Sequence, residues 1–102
     1  MNWYSYLECF GAGIFLANFV PHFVNGISGN RFPTPFSRPH GKGLSSAGLN
    51  VAWGLFNLLI GFLLFSAAKI SVENHLSLIV FFIGISSISI FLSKRFSTKN
   101  KN

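Results

Sequence analysis

Residues 47–68 have the sequence AGLNVAWGLFNLLIGFLLFSAA, and this stretch decides the fold. It contains no charged residue, and the nearest charges along the chain are Lys42 before it and Lys69 after it. A helix of about 20 predominantly apolar residues is long enough to cross the hydrocarbon core of a bilayer. The stretch therefore predicts a membrane-spanning helix.

Two further stretches predict spans before and after this helix. Residues 76–93 are uncharged and rich in Ile and Phe, although they are slightly short for a full crossing. Residues 3–24 include Glu8 and Pro21, yet their centre is strongly apolar and the aromatic residues at their start are typical of the membrane interface. A cleaved signal peptide is the competing interpretation, but the stretch lacks a preceding Lys or Arg and a small-residue cleavage site.

The composition agrees with a membrane protein. Of the 102 residues, 50% are hydrophobic and only 10% are charged, whereas a soluble domain carries about 25% charged residues. We therefore expect one domain, residues 1–102, with lipid covering much of its surface. Although Lys and Arg number eight against two acids, they lie between and after the apolar stretches rather than along one polar face, so we predict no nucleic-acid partner.

The distribution of the basic residues predicts the orientation. Residues 25–46, between the first two spans, are rich in Gly and Pro, and three prolines there exclude a regular helix. With three spans, this loop and the tail, residues 94–102, lie on the same side and together carry seven basic residues, whereas the other side carries only Lys69. The positive-inside rule then gives an all-α protein with the N-terminus outside and the loop and tail in the cytoplasm. The short connection from Lys69 to His75 predicts an antiparallel hairpin of the second and third helices.

Polar and small residues recur at helical spacing within two of the spans and predict a polar seam. Gly lets a neighbouring backbone approach closely, and Asn can donate hydrogen bonds across helices where no water competes. The simplest interpretation is the packing seam of the bundle, and the alternative is a polar crevice. Glu8, the only acid within a span, fits the outer interface better than a proton site at depth. The seam comprises Glu8, Asn18, His22, Asn50, Gly54, Asn57 and Gly61.

The loop is the second candidate site, because three cations precede two serines at the start of the second helix. One of the serines is expected to cap that helix, whose N-terminal end favours an anion. We predict an anion- or headgroup-binding surface there, and the alternative is that the charges only set the topology. The candidate residues are Arg31, Arg38, Lys42, Ser45 and Ser46.

The sequence offers no catalytic set. The only acids, Glu8 and Glu73, are predicted on the side opposite His22 and His40, and the single cysteine, Cys9, has no histidine nearby. We therefore predict that the chain is not an enzyme and has no metal site and no cofactor.

Residues 21–57, PHFVNGISGNRFPTPFSRPHGKGLSSAGLNVAWGLFN, resemble a family of small bacterial inner-membrane proteins that carry a Gly/Pro-rich loop before a helix with Asn, Trp and Gly. The resemblance implies a multi-pass protein of the bacterial inner membrane and implies no particular activity. With membrane lipid as its surroundings, we expect the chain to act by helix association with itself or with a larger membrane protein. The alternative function is a small oligomeric transporter or lipid-handling protein for an anionic solute or headgroup.

The orientation can be tested with a reporter fused after Asn102. A cytoplasmic reporter should be active there, because the seven-to-one distribution of basic residues holds the tail inside. Activity of a reporter that works only in the periplasm would contradict the prediction.

Overall fold

The structure is a computed structural model that describes residues 2–39 and 43–97. These residues form three α-helices, α1 (Trp3–Ile27), α2 (Ala47–Ala68) and α3 (His75–Phe96). All three are long enough and apolar enough to cross a membrane, so the expected all-α fold with three candidate spans is confirmed. The molecule is 46 Å long, which is close to the thickness of a bilayer with its headgroups, about 40–45 Å.

Two helices are longer than the sequence pattern indicates. α1 continues past Pro21 to Ile27, and the Asn25 side chain donates a hydrogen bond to the Pro21 carbonyl oxygen at 2.7 Å. α3 continues to Phe96, so Lys94 lies in its last turn together with the next basic residue, rather than in a tail. Cations at that position interact favourably with the helix dipole. Residues 98–102 of the expected tail lie outside the described residues.

α1 is the central helix of the bundle. It packs against both α2 and α3, whereas the backbones of α2 and α3 hardly approach each other. α2 runs antiparallel to α1, with Gly61 beside Leu16 and the start of α2 beside Gly26. α3 runs in the same direction as α1, with Gly84 beside Phe10 and Phe96 beside His22. α2 and α3 are therefore antiparallel, as the short connection predicts, but they are held together mainly through α1.

Glycines form the contact between α1 and α3. A Cβ atom on Gly84 would collide with the carbonyl oxygen of Phe10, and one on Gly13 would collide with the carbonyl of Phe81 and lie 2.8 Å from the amide nitrogen of Ile85. Because these neighbours are backbone atoms, they cannot move aside as a flexible side chain can. The two backbones touch here because neither helix has a side chain at the crossing.

The distribution of buried and exposed side chains is the reverse of that in a soluble protein. The largest side chains that are fully buried belong to Asn50, Asn57, Cys9 and Ser77, whereas Phe and Leu side chains cover the outside. Phe62 on α2 is 60% exposed and Phe82 on α3 is 65% exposed. Such a surface is stable in lipid, where apolar side chains need no shielding and small or polar residues mark the helix contacts.

The glycine contact can be tested with Gly84→Ala. The added methyl group has no space beside the Phe10 backbone, so the free energy of unfolding in detergent micelles should fall by about 1–3 kcal/mol. Gly48→Ala, on α2, is the matched control, since nothing lies within 4 Å of its added Cβ. Equal stability of the two variants would contradict the close α1–α3 contact.

Candidate functional site

The loop between α1 and α2 folds back onto one end of the bundle, where α1 and α3 end and α2 begins. This end carries Arg31 and Arg38 in the loop and is called the basic end below. Phe32 and Ser45 form a two-residue antiparallel bridge, in which the Phe32 amide donates to the Ser45 carbonyl at 3.2 Å and the Ser45 amide donates to the Phe32 carbonyl at 2.9 Å. The bridge holds the two sides of the loop together over α1.

Buried hydroxyl groups strengthen this loop. Thr34 Oγ1 and Ser45 Oγ lie 2.6 Å apart, and the Ser37 hydroxyl donates to the Thr34 carbonyl at 2.7 Å. All three side chains are buried. The described part of the loop is therefore an ordered cover on the bundle, held by its own hydrogen bonds.

Asn50 joins this cover to the helices. Its Nδ2 atom lies within hydrogen-bonding distance of the carbonyl oxygens of Phe32 (2.9 Å), Ser45 (3.3 Å) and Ser46 (3.0 Å). Carbonyl oxygens only accept hydrogen bonds, so the amide nitrogen must face them and the Oδ1 atom must face the other way. Asn50 is fully buried, and its orientation is fixed by these backbone groups.

His22 on α1 meets the other side of that amide. Its Nδ1 atom lies 2.8 Å from Asn50 Oδ1, and because that oxygen is an acceptor, Nδ1 carries the proton and donates it. The Nε2 atom of the neutral ring is then an acceptor. The imidazole is 3% exposed and makes edge-on contacts with the rings of Phe32, Trp53 and Phe96.

Asn18 and Asn57 form a second polar pair, one helical turn deeper along α1. Asn57 Nδ2 donates to the Trp53 carbonyl at 2.7 Å, and Asn57 Oδ1 accepts from Asn18 Nδ2 at 3.0 Å. The backbone carbonyl again fixes the direction of both bonds, because it forces Asn57 Nδ2 to be the donor. The Asn18 Oδ1 atom is consequently left as an acceptor.

A cavity of about 310 Å³ lies between α2 and α3 at the basic end, with α1 as its floor. The floor contains the two polar residues Asn18 and His22, the loop closes one end, and apolar side chains form most of the walls. Among the described residues that line it, Arg95 is the charged one. The lining residues are Ile14, Phe15, Asn18, His22, Pro33, Thr34, Pro35, Trp53, Asn57, Ile88, Phe91, Leu92, Arg95 and Phe96.

The predicted polar seam divides into three parts in the structure. Two pairs are hydrogen-bonded across α1 and α2: Asn18 with Asn57, and His22 with Asn50. The glycines serve packing, since a Cβ on Gly54 would lie 3.0 Å from the Phe23 amide nitrogen and one on Gly61 would lie 2.7 Å from the Leu16 side chain.

Glu8 is the third part and is not brought together with the others. It borders a separate cavity of about 540 Å³ at the opposite end of the bundle, together with Lys69 and Asn74. Glu8 lies in the second turn of α1 with a half-buried side chain, at the end of the bundle where the outer membrane–water interface is expected.

Of the predicted anion-binding residues, the two serines are used within the protein, and the anion-binding surface itself stays a prediction. Arg31 and Arg38 are exposed, and Lys42 lies outside the described residues. Ser45 faces inward toward Thr34, whereas Ser46 caps α2, as expected of one of the two serines, by accepting a hydrogen bond from the Leu49 amide at 3.1 Å. The hydroxyl groups of both serines are thus engaged within the protein.

Several residues of the cavity carry no clear signal in the sequence. Arg95 was assigned to the tail because the apolar stretch ends at Ser93, although a helix of normal span length extends past that point. Trp53 and Phe96 gave no signal, since aromatic residues in an apolar helix are as common on the lipid side. Gly13 and Gly84 could have been found, because isolated glycines in apolar helices mark close contacts.

Comparison of the chain with models of known protein families, with curated proteins and with solved structures finds no match. Within residues 2–39 and 43–97, no three His, Cys, Asp or Glu side chains lie together in a group that could hold a metal ion. The chemistry of the site therefore rests on the hydrogen-bonding groups of the cavity, its apolar walls and the cation at its edge.

Asn50→Ala tests the connection between the loop and the helices. The change leaves His22 Nδ1 without its partner and removes a second donor from three carbonyl oxygens that also accept from backbone amides, so the free energy of unfolding in micelles should fall by about 1–3 kcal/mol. Asn25→Ala is the matched control, because Asn25 makes one local bond to Pro21 and should cost roughly 1 kcal/mol or less. If the two variants unfold alike, Asn50 does not hold the cover in place.

Proposed function

We propose that this chain is a multi-pass protein of the bacterial inner membrane that binds a phospholipid in the cavity between α2 and α3. The observation that carries the proposal is the composition of that cavity. It combines apolar walls, hydrogen-bonding groups from α1 and a cation at the basic end. A phospholipid combines matching parts, because its acyl chains are apolar and its headgroup carries both charge and hydrogen-bonding groups.

The position of the cavity supports entry from the bilayer. α2 and α3 scarcely touch along their backbones, and their outer faces carry exposed Phe and Leu side chains. Acyl chains surround such faces in a membrane, so a lipid reaches the gap by lateral movement without leaving the hydrocarbon region. About 310 Å³ is at the lower end of ligand pockets, roughly 300–1,000 Å³, which suits part of a lipid rather than the whole molecule.

The charges support an anionic headgroup. Arg95 lines the cavity in the last turn of α3, next to Lys94, and Arg31 and Arg38 are exposed in the loop at the same end. Each basic residue near an anionic surface contributes about 1 kcal/mol of attraction. With the N-terminus outside and the C-terminus inside, as the positive-inside rule gives, the lipid belongs to the cytoplasmic leaflet.

The sequence alone favours helix association, but the structure gives more support to lipid binding. The small residues that suggest association are used within the chain, where Gly54 and Gly61 pack against α1 and Gly13 packs against α3. No comparable seam of glycines is left on the outer faces of the described helices. Association with a second copy or with a larger membrane protein is therefore the alternative that the experiment below can detect. We propose no catalytic activity.

Ile88→Trp tests the proposal by filling the cavity. Ile88 lines it from α3, and the larger ring should compete with a bound lipid and lower its affinity by about tenfold, the equivalent of 1.4 kcal/mol. The measurement is native mass spectrometry of protein released from the membrane, which reports retained lipid and copy number together.

Ile83→Trp is the control, because Ile83 lies on the same helix but is 48% exposed on the outside. This variant should retain phospholipid like the unchanged protein. The proposal fails if the unchanged protein retains no phospholipid, or if both tryptophan variants retain it equally. A defined oligomer without lipid would favour helix association instead.

A further inference from the structure

The floor of the cavity presents two hydrogen-bond acceptors whose identity follows from the backbone. Carbonyl oxygens orient the Asn50 amide, which in turn forces His22 to donate through Nδ1 and leaves Nε2 as an acceptor. The Trp53 carbonyl orients Asn57 in the same way, which leaves the Asn18 Oδ1 atom as an acceptor. Neither assignment depends on a choice of hydrogen positions, because each begins at a group that can only accept.

Both acceptors reach the cavity. Asn18 and His22 line it and lie one helical turn apart on the same face of α1, where side chains four residues apart are about 6 Å from each other. Within the described residues, no buried side-chain nitrogen or oxygen lacks a hydrogen-bond partner. Since Nε2 and Oδ1 have no partner among the hydrogen bonds of these two side chains, they border open space.

Two acceptors in an apolar pocket need a ligand that donates. An acceptor that faces an apolar cavity without a donor costs about 1–3 kcal/mol, and in the hydrocarbon region no bulk water replaces the missing donor. His22 is nine-tenths or more buried, so a ligand atom next to Nε2 must carry a hydrogen on oxygen or nitrogen. Arg95, in contrast, supplies donors and positive charge, which suit a phosphate.

We propose that the cavity selects phospholipids whose headgroup bears a hydroxyl or ammonium donor beside the phosphate. This inference rests on the proposed function, and it adds the chemical class of the ligand. The phosphate lies toward Arg95, and the donor group lies toward His22 and Asn18. Headgroups of the glycerol and ethanolamine type have such donors, whereas choline and simple methyl headgroups have none.

Two matched pairs of lipids test the selectivity on the unchanged protein. Phosphatidylglycerol and phosphatidylmethanol have the same net charge and differ in their hydroxyl donors. Phosphatidylethanolamine and phosphatidylcholine are both zwitterionic and differ in their ammonium donors. With identical acyl chains, each donor lipid should bind about tenfold more tightly than its partner, as measured by titration of delipidated protein in micelles and native mass spectrometry.

The results separate this inference from the proposed function. If none of the four lipids binds, the proposed function fails. If all four bind with similar affinity and Ile88→Trp weakens all of them, the cavity binds lipid but the inference fails. Tighter binding of the methyl or choline lipids also overturns it.

A variant then assigns the selectivity to the acceptors. Asn18→Leu removes one acceptor and should reduce the donor preference several-fold, whereas Asn25→Leu, on the same helix but outside the cavity, should leave it unchanged. The preference is a ratio of two affinities for one variant, so a general loss of stability affects both lipids alike. An undiminished ratio in Asn18→Leu would exclude Asn18 from recognition.

Discussion

The structure depends on one constraint, which is that backbone carbonyls buried at a membrane surface need donors that water does not supply. The loop brings the carbonyls of Phe32 and Ser45 over the end of α1, where each accepts from the other residue's backbone amide and also from the amide nitrogen of Asn50. The same side chain then sets the proton position of His22. The Asn50 amide thus links the loop, α2, α1 and the floor of the cavity. These partners explain why Asn50 is fully buried although it is polar.

The fold could largely be predicted from the sequence, because the signal for a span depends only on length and apolar content. α2 has the predicted bounds, because the nearest charged residues, Lys42 and Lys69, limit the apolar stretch on each side and Ser46 caps the start of the helix. The ends of α1 and α3 were less predictable. Helices in a membrane protein continue into the interface, where polar residues such as Asn25 and Lys94 are tolerated.

The candidate site could be predicted only in part. Helical spacing correctly grouped Asn18 with His22 and Asn50 with Asn57 on their own helices, but it does not state which residues face each other across two helices. Glu8 shares that spacing and still lies at the opposite end, because a stripe along 25 residues extends over the full thickness of the membrane. Arg95 lines the cavity from a helix on which no polar seam was predicted, so only the packing of α3 on α1 reveals it.

The contact between Gly13 and Gly84 has a mechanical consequence. It joins α1 and α3 through their backbones near the middle of α3, where neither glycine carries a side chain. From Gly84 to Phe96, α3 extends about 18 Å toward the basic end, so a tilt of roughly 10° about this point displaces its end by ~3 Å. Because α2 is attached to α1 and scarcely to α3, such a tilt changes the width of the cavity and leaves the α1–α2 pair intact. The crossing is therefore the point about which a tilt of α3 would require the least rearrangement of the α1–α2 pair.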